Sequence, residues 1–204
     1  MVGTLLFNES PILGFGVIFI SALLLTTYKF GSFIFIVILV ILMIFYRYES
    51  CENCYADNII ISPAEGLITN IHQRGEDVHI SIFLSIFNKH TQIYPVNGEV
   101  IDRVYDRTGK FNIAVTMDKS RYNEKKIHTI KMKNGNIVTV TQIAGFLPRA
   151  INSSNLIPQE VKAGEYLGII KFGSRVDLLF PGNIDNIKVK LNDNIKLGDV
   201  IYEV

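Results

Sequence analysis

The dipeptide Gly173-Ser174, within Lys171-Phe172-Gly173-Ser174-Arg175-Val176-Asp177, places a hydroxyl directly after a glycine carbonyl between two β-type runs. A serine so placed can attack that carbonyl with its own hydroxyl. The amide becomes an ester where the local turn is strained and the oxyanion is stabilised. Glycine suits this role, because without a Cβ it adopts dihedrals that other residues avoid and lets a nucleophile come close. β-Elimination from the ester leaves dehydroalanine at position 174, and hydrolysis converts that into a pyruvoyl group capping a new chain of residues 174–204. The product is a ketone-like electrophile. Gly-Ser is also a common turn pair, so the dipeptide takes its meaning from its surroundings.

Those surroundings are Gly164-Glu165-Tyr166-Leu167-Gly168-Ile169-Ile170 before it and Leu178-Leu179-Phe180-Pro181 after it. Upstream stand, in order, Ser62-Pro63-Ala64-Glu65-Gly66, then Ile80-Ser81-Ile82-Phe83-Leu84-Ser85 through Asn88-Lys89-His90 to Pro95-Val96-Asn97-Gly98, then Asn123-Glu124-Lys125, then Gln142-Ile143-Ala144-Gly145. The ordered set resembles the short form of phosphatidylserine decarboxylase over most of the chain. The resemblance implies a self-processing enzyme cut between Gly173 and Ser174, with a pyruvoyl cofactor made from Ser174 and no metal. It implies a membrane-bound serine phospholipid as substrate: phosphatidylserine, or an archaeal ether counterpart. The substrate amine is captured as a Schiff base, CO2 leaves and the ethanolamine phospholipid is released. Amino-acid side chains offer no such electron sink, which is why decarboxylation of an α-amino acid needs a carbonyl group of this kind. The two cleaved chains are expected to stay together as a heterodimer, with higher homo-oligomers open.

The same resemblance assigns candidate residues. His90 occupies the histidine position of a Ser-Pro-x-Asn-x-His type motif, although Ser85-Ile86 replaces Ser-Pro, and an imidazole can both receive and return a proton near neutrality. Glu65 stands where the family has aspartate in Ser-Pro-Ala-Asp-Gly; a carboxylate there orients an imidazole or assists cleavage. Longer relatives carry a second histidine three positions after the first, a place held here by Ile93. Asn88, Asn123 and Glu124 are lesser candidates for orienting groups, and turn residues on the plainer reading. His72, His79 and His128 read as strand or surface residues without a role.

The elements that must position these groups divide into two parts. Residues 10–28 and 30–46 carry no charge, with Lys29 between them, and they account for much of the mean hydropathy of +0.29. Both approach the ~20 residues of a membrane span, so residues 1–48 are expected to form a helical hairpin that spans twice or embeds from one face. Glu9, the missing basic n-region and the missing small-residue cleavage pattern argue against a signal peptide. Lys29 and Arg47 leave the charge bias between the two sides nearly balanced. It is the resemblance that implies a cell-membrane location with the catalytic domain on the cytoplasmic face. Cys51 and Cys54 form a lone Cys-x-x-Cys with no second pair to complete a zinc site. A net charge of +1 argues against nucleic acid as a partner. Lys119, Arg121, Lys125, Lys126, Lys131 and Lys133 make a modest basic cluster, suited to anionic head groups or simply to solvent.

From residue 55 to 204 the chain reads as a mainly β, barrel-sandwich-like domain. Short runs at Ile59 to Ser62, Gly66 to His72, Val78 to Ser85, Glu99 to Tyr105, Phe111 to Met117, Lys126 to Met132 and Asn136 to Ala144 are separated by turns. Pro95–Val100 and Val189–Val204 resemble the two half-repeats of biotinyl and lipoyl carrier domains. That leaves a non-catalytic membrane-tethered scaffold or transport accessory as the alternative, although no Met-Lys hairpin tip is present.

Overall fold

The computed structural model describes residues 11–27, 29–47, 55–109, 122–145, 151–157, 159–170 and 174–204. Gly173, Cys51, Cys54, the run Phe111 to Met117, and Lys119 and Arg121 of the basic cluster lie outside the described residues. The chain falls into two compact units, Met1–Glu49 and Ser50–Val204.

The first unit holds helices α1 (Pro11–Thr27) and α2 (Lys29–Phe45), which pack against each other. Each has 17 residues, and no described helix is long and apolar enough to cross a membrane. Phe15, Phe19 and Leu23 of α1 and Phe33, Ile36 and Val40 of α2 are exposed, whereas Val17, Ser32 and Leu42 are buried. Neither helix has the polar face that a helix facing water normally carries.

The described strands of the second unit all pair antiparallel, with one 3-10 turn at Ile184–Asn186. Its strands are β1 (Ile59–Ile61), β2 (Gly66–Arg74), β3 (Asp77–Leu84), β4 (Thr91–Ile93), β5 (Gly98–Asp106), β6 (Lys125–Met132), β7 (Ile137–Ile143), β8 (Ile151–Ser153), β9 (Gln159–Val161), β10 (Tyr166–Ile170), β11 (Ser174–Pro181), β12 (Asn194–Ile195) and β13 (Val200–Glu203). Eight form one sheet in the order β12-β2-β3-β11-β7-β6-β5-β9; β4-β10-β8 form a second, and β1-β13 a third. Gly75, at φ 64°, makes the tight link between β2 and β3, a conformation that residues with a Cβ adopt only under strain. One core is shared by the sheets: Val78, Ile80, Ile82, Val138, Val140, Ile130, Val176, Leu178 and Phe180 from the large sheet meet Ile151, Leu167 and Ile170 from the small one.

Residues one apart on a strand face opposite ways, and this sorts the inner face of the large sheet into two zones. Towards one end, β3, β5, β6, β7 and β11 contribute Val78, Val100, Met132, Val138 and Phe180. Towards the other end the inward positions turn polar: Arg103 and Tyr105 on β5, Lys126 and His128 on β6, Gln142 on β7, Ser174 on β11. The strands expected from the sequence recur on the described residues with ends moved by one or two positions. The short β4, β8 and β9 are elements that the sequence reading did not separate.

Candidate active site

Strand direction brings the sequence-predicted residues to one end of the large sheet. β11 starts there with Ser174, paired with Leu84 at the end of β3. The chain leaving β3 turns through Ser85–Asn88 and reaches His90, whose carbonyl accepts from Ile170 N at 3.1 Å at the end of β10. Ser174 and Ile170, which flank the segment containing Gly173, therefore both rest on this turn. Glu65 precedes β2, and Asn123 and Glu124 precede β6, at the same end.

Ser174 is fully buried on the face of Val176 and Leu178, and its Oγ has no hydrogen-bond partner among the described residues. A buried hydroxyl without a partner forfeits a stabilising bond; a nucleophile waiting for a reacting carbonyl is a functional reason for one. His90 is equally buried. Its Nδ1 lies 2.9 Å from Asn88 O, and a carbonyl can only accept, so Nδ1 carries the proton and Nε2 presents the lone pair. Asn88 shapes the turn through Oδ1, which accepts from Ser85 N at 2.9 Å and Ser85 Oγ at 2.7 Å. Glu65 braces the same turn: Oε1 accepts from Asn88 Nδ2 at 3.3 Å and Lys89 N at 3.4 Å, and Oε2 lies 3.6 Å from Lys89 Nζ. Asn123 Nδ2 donates to Ala144 O at 2.8 Å, and Tyr105 OH donates to the buried Glu124 Oε1.

A chain of side chains that the sequence reading passed over supports the histidine. Gln92 Nε2 donates to His90 O at 2.6 Å, and Gln142 Nε2 donates to Gln92 Oε1 at 2.8 Å. With its amide direction fixed, Gln142 accepts at Oε1 from His128 Nε2, 2.9 Å away. Gln92, Gln142 and His128 are all fully buried, and the chain crosses from the small sheet to the large one. Gly168 on β10 makes room for it, since a Cβ there would lie 3.1 Å from Gln142 Nε2 and 2.5 Å from Asn152 O. Nothing in the spacing of Gln92, His128 and Gln142 signals their meeting; only the pairing of β6 with β7 and the stacking of the two sheets does so.

Burial, more than the neighbouring Gln142, sets the charge state of His128, pushing its pKa down to about 4. The unfolded chain binds this proton near pH 6.5 and the folded chain does not. Stability should therefore be intact above about 6.5 and fall by about 3 kcal/mol between there and pH 4. His128→Gln keeps a donor towards Gln142 and should flatten that limb of the stability curve, as read by denaturant unfolding at successive pH values.

The basic cluster expected at a surface is divided by the structure. Lys126 is buried and points inward, Lys131 is exposed, and Lys133 pairs with Asp57 at 2.9 Å. On the opposite face of β11, Arg175 Nε lies 2.8 Å and Nη2 2.9 Å from the two oxygens of Asp177, and His79 Nε2 lies 3.6 Å away. Burial alone raises the Asp177 pKa, but the bonds from His79 and Arg175 outweigh it and hold the carboxyl below its usual value. His72 packs against His79 with 4.7 Å between ring centroids and the rings tilted by 47°. His72 and His79 thus belong to a polar group behind the strand that begins at Ser174.

Residues 41–203 match the family model described as phosphatidylserine decarboxylase. The chain is 36% identical over 155 residues to the phosphatidylserine decarboxylase proenzyme of Wolbachia pipientis wMel, covering 71% of this chain and 66% of that one. It is 31% identical over 197 residues to the proenzyme of Geotalea daltonii, covering 93% and 91% of the two chains. With the Rickettsia typhi proenzyme it shares 34% identity over 182 residues, covering 81% and 78%. The chain belongs to the phosphatidylserine decarboxylase family of pyruvoyl-dependent carboxy-lyases.

Proposed function

We propose that this chain cuts itself between Gly173 and Ser174 and then decarboxylates a serine phospholipid, phosphatidylserine or an ether-linked counterpart, to the ethanolamine phospholipid. The observation that carries this reading is the fully buried Oγ of Ser174, without a hydrogen-bond partner among the described residues, beside the turn that holds His90. The relatives' name, proenzyme, fits a chain that matures by cleavage. In maturation Ser174 Oγ adds to the Gly173 carbonyl, the 173–174 amide becomes an ester, and β-elimination followed by hydrolysis releases ammonia and leaves two chains. The buried interior around Ser174 suits a small carbonyl group at that position, with polar neighbours on one side and Leu84 and Val176 on the other.

Such a group supplies an electron sink for the charge left at Cα when CO2 departs. The chain's own residues do the rest. His90, with its lone pair on Nε2, is the proton carrier, accepting a proton during capture of the amine and returning one to Cα. Asn88 O fixes its tautomer, the Glu65 carboxylate braces its turn, and Gln92 with Ile170 N fixes its backbone carbonyl. The apolar helices, whose one charged residue is Lys29 at the start of α2, embed the N-terminal unit in the cell membrane, where the lipid substrate resides. The β-rich unit lies on the cytoplasmic face, so protease should reach it in inside-out but not in right-side-out vesicles.

Intact-mass measurement of the purified chain tests the core of the reading. Two species are expected, one of them residues 174–204 with a blocked amino end that gains mass on treatment with hydroxylamine. A single unmodified 23.0 kDa chain under every folding condition would overturn it.

A further inference from the structure

Two cations, the buried Lys126 and the half-buried Arg103, sit in the polar zone with no acid bonded to either among the described residues. Lys126 Nζ donates to Ser153 O at 2.8 Å, Ser154 O at 3.0 Å and Asn155 Oδ1 at 2.7 Å. Arg103 donates through Nη1 to Ser154 O, and through Nη2 to Tyr94 OH and Gln159 Oε1, both at 2.8 Å. Among the described residues every one of these partner oxygens is neutral. Buried charges are ordinarily paired with an opposite charge. Glu124, two positions before Lys126, is engaged by Tyr105 OH. His128, opposite Arg103 across β5 and β6, is neutral and supplies no counter-charge. Burial, with Arg103 and Arg107 adding to it, lowers the Lys126 pKa to about 8.

The cluster is also incompletely bonded. Arg103 Nε is buried and has no hydrogen-bond partner among the described residues. One ligand of Lys126 is replaceable: Asn155 is exposed, so its amide oxygen can swing out and yield its place to a more strongly attracted oxygen. A negatively charged oxygen there would gain the Lys126 charge and the open Arg103 donor together.

We propose that Arg103 and Lys126 form the subsite for the phosphodiester of the substrate head group. This rests on the decarboxylase reading of Ser174 and goes beyond it by naming what holds the lipid. Lys126, Gln142 and Val176 stand side by side on β6, β7 and β11, and Ser174 is two residues along from Val176 on the same face. Strand spacing of about 4.8 Å and a rise of about 3.4 Å per residue put roughly 12 Å between the α carbons of Lys126 and Ser174. A lysine side chain reaching from one end and a phosphoserine head group reaching from the other fill that gap. The amine of the head group is separated from phosphorus only by Cα, Cβ and the ester oxygen. The substrate's other anion, the carboxylate, is the wrong occupant. Two fixed cations would stabilise it before CO2 leaves and lose that contact as it goes, raising the barrier. The phosphodiester keeps its charge throughout, so binding it costs the chemical step nothing.

That difference sets the test. On the full chain in detergent micelles, Lys126→Met and Arg103→Gln should each raise KM for phosphatidylserine about tenfold or more, the loss falling on KM rather than on kcat, and Lys126→Arg should recover most of it. A loss confined to kcat would overturn the assignment. Binding is read separately on the same chains by calorimetry with glycerophosphoethanolamine and with ethanolamine. The wild type should bind the phosphodiester at least about tenfold more tightly than the free amine, and both neutral variants should lose the preference. If the wild type shows no preference, or if both variants fold with an unchanged melting temperature and keep it, the subsite does not exist. If the preference is present and lost as expected while no CO2 is ever released, the subsite stands and the decarboxylase reading falls. Arg103→Gln carries the test if Lys126→Met fails to accumulate.

Discussion

Ser174→Ala should yield one continuous chain, with decarboxylation lowered by at least about 10⁶-fold, into the range of the uncatalysed reaction. The methyl group fills the place of the hydroxymethyl, so the fold has no reason to change: Ser174 is fully buried and its Oγ forms no bond with a described residue that the substitution would break. What disappears is the only atom at position 174 able to add to the preceding carbonyl. Without that addition neither ester nor keto group forms. Denaturing electrophoresis separates the outcomes at once. A normal two-chain pattern from the alanine variant would show that the break arises elsewhere or by another agent. A stable, uncleaved variant that still releases CO2 would remove position 174 from the chemistry altogether.

His90→Ala should lower turnover of the matured protein by about 10²–10⁴-fold with a smaller effect on KM, the usual weight of one positioned proton carrier. The arrangement explains why the loss is catalytic. The imidazole is held in one tautomer by Asn88 O, and the turn around it is bonded through backbone atoms and through Glu65, which the substitution leaves in place. Because His90 O also receives Ile170 N, the segment leading to the cleavage point keeps its anchor in the variant, and a matured fraction can be purified for assay. A matured His90→Ala protein with unchanged kcat would exclude the imidazole from proton transfer. A protein that never matures, but recovers cleavage when imidazole is supplied, would place His90 in the earlier step.

The candidate site residues were legible where the chain spells them contiguously, and less so where pairing creates them. Ser174, His90 and Glu65 lie in local motifs, and strand direction brings them to one sheet end. Lys126 and His128 belong to a run, Lys125 to Met132, whose alternation is ambiguous: isoleucine stands at Ile127 on the outer face and at Ile130 on the inner one. A bulge in β5 between Val100 and Asp102 shifts the phase again, so that Arg103 and Tyr105 join the inward set. Nearness along the chain alone therefore grouped Lys126 with the other basic residues of the cluster. β4, β8 and β9 have three residues each, too few to show a period, and exist because β10 and β5 supply edges to pair with. The two uncharged stretches announced their helices by composition, yet at 17 residues each is shorter than a usual span.

β11 starts at the very residue that would become a new chain end, and it lies between β3 and β7 in the middle of the large sheet, with Arg175 and Asp177 clasped behind it. Farther on, β13 is laced to β1 on the other side of the break. A nick ahead of Ser174 would thus free nothing. The 174–204 piece would remain woven into its parent, and pulling it out would mean dismantling the sheet. Dilution alone should never part the two pieces, and once parted by denaturant neither has a complete core to refold around.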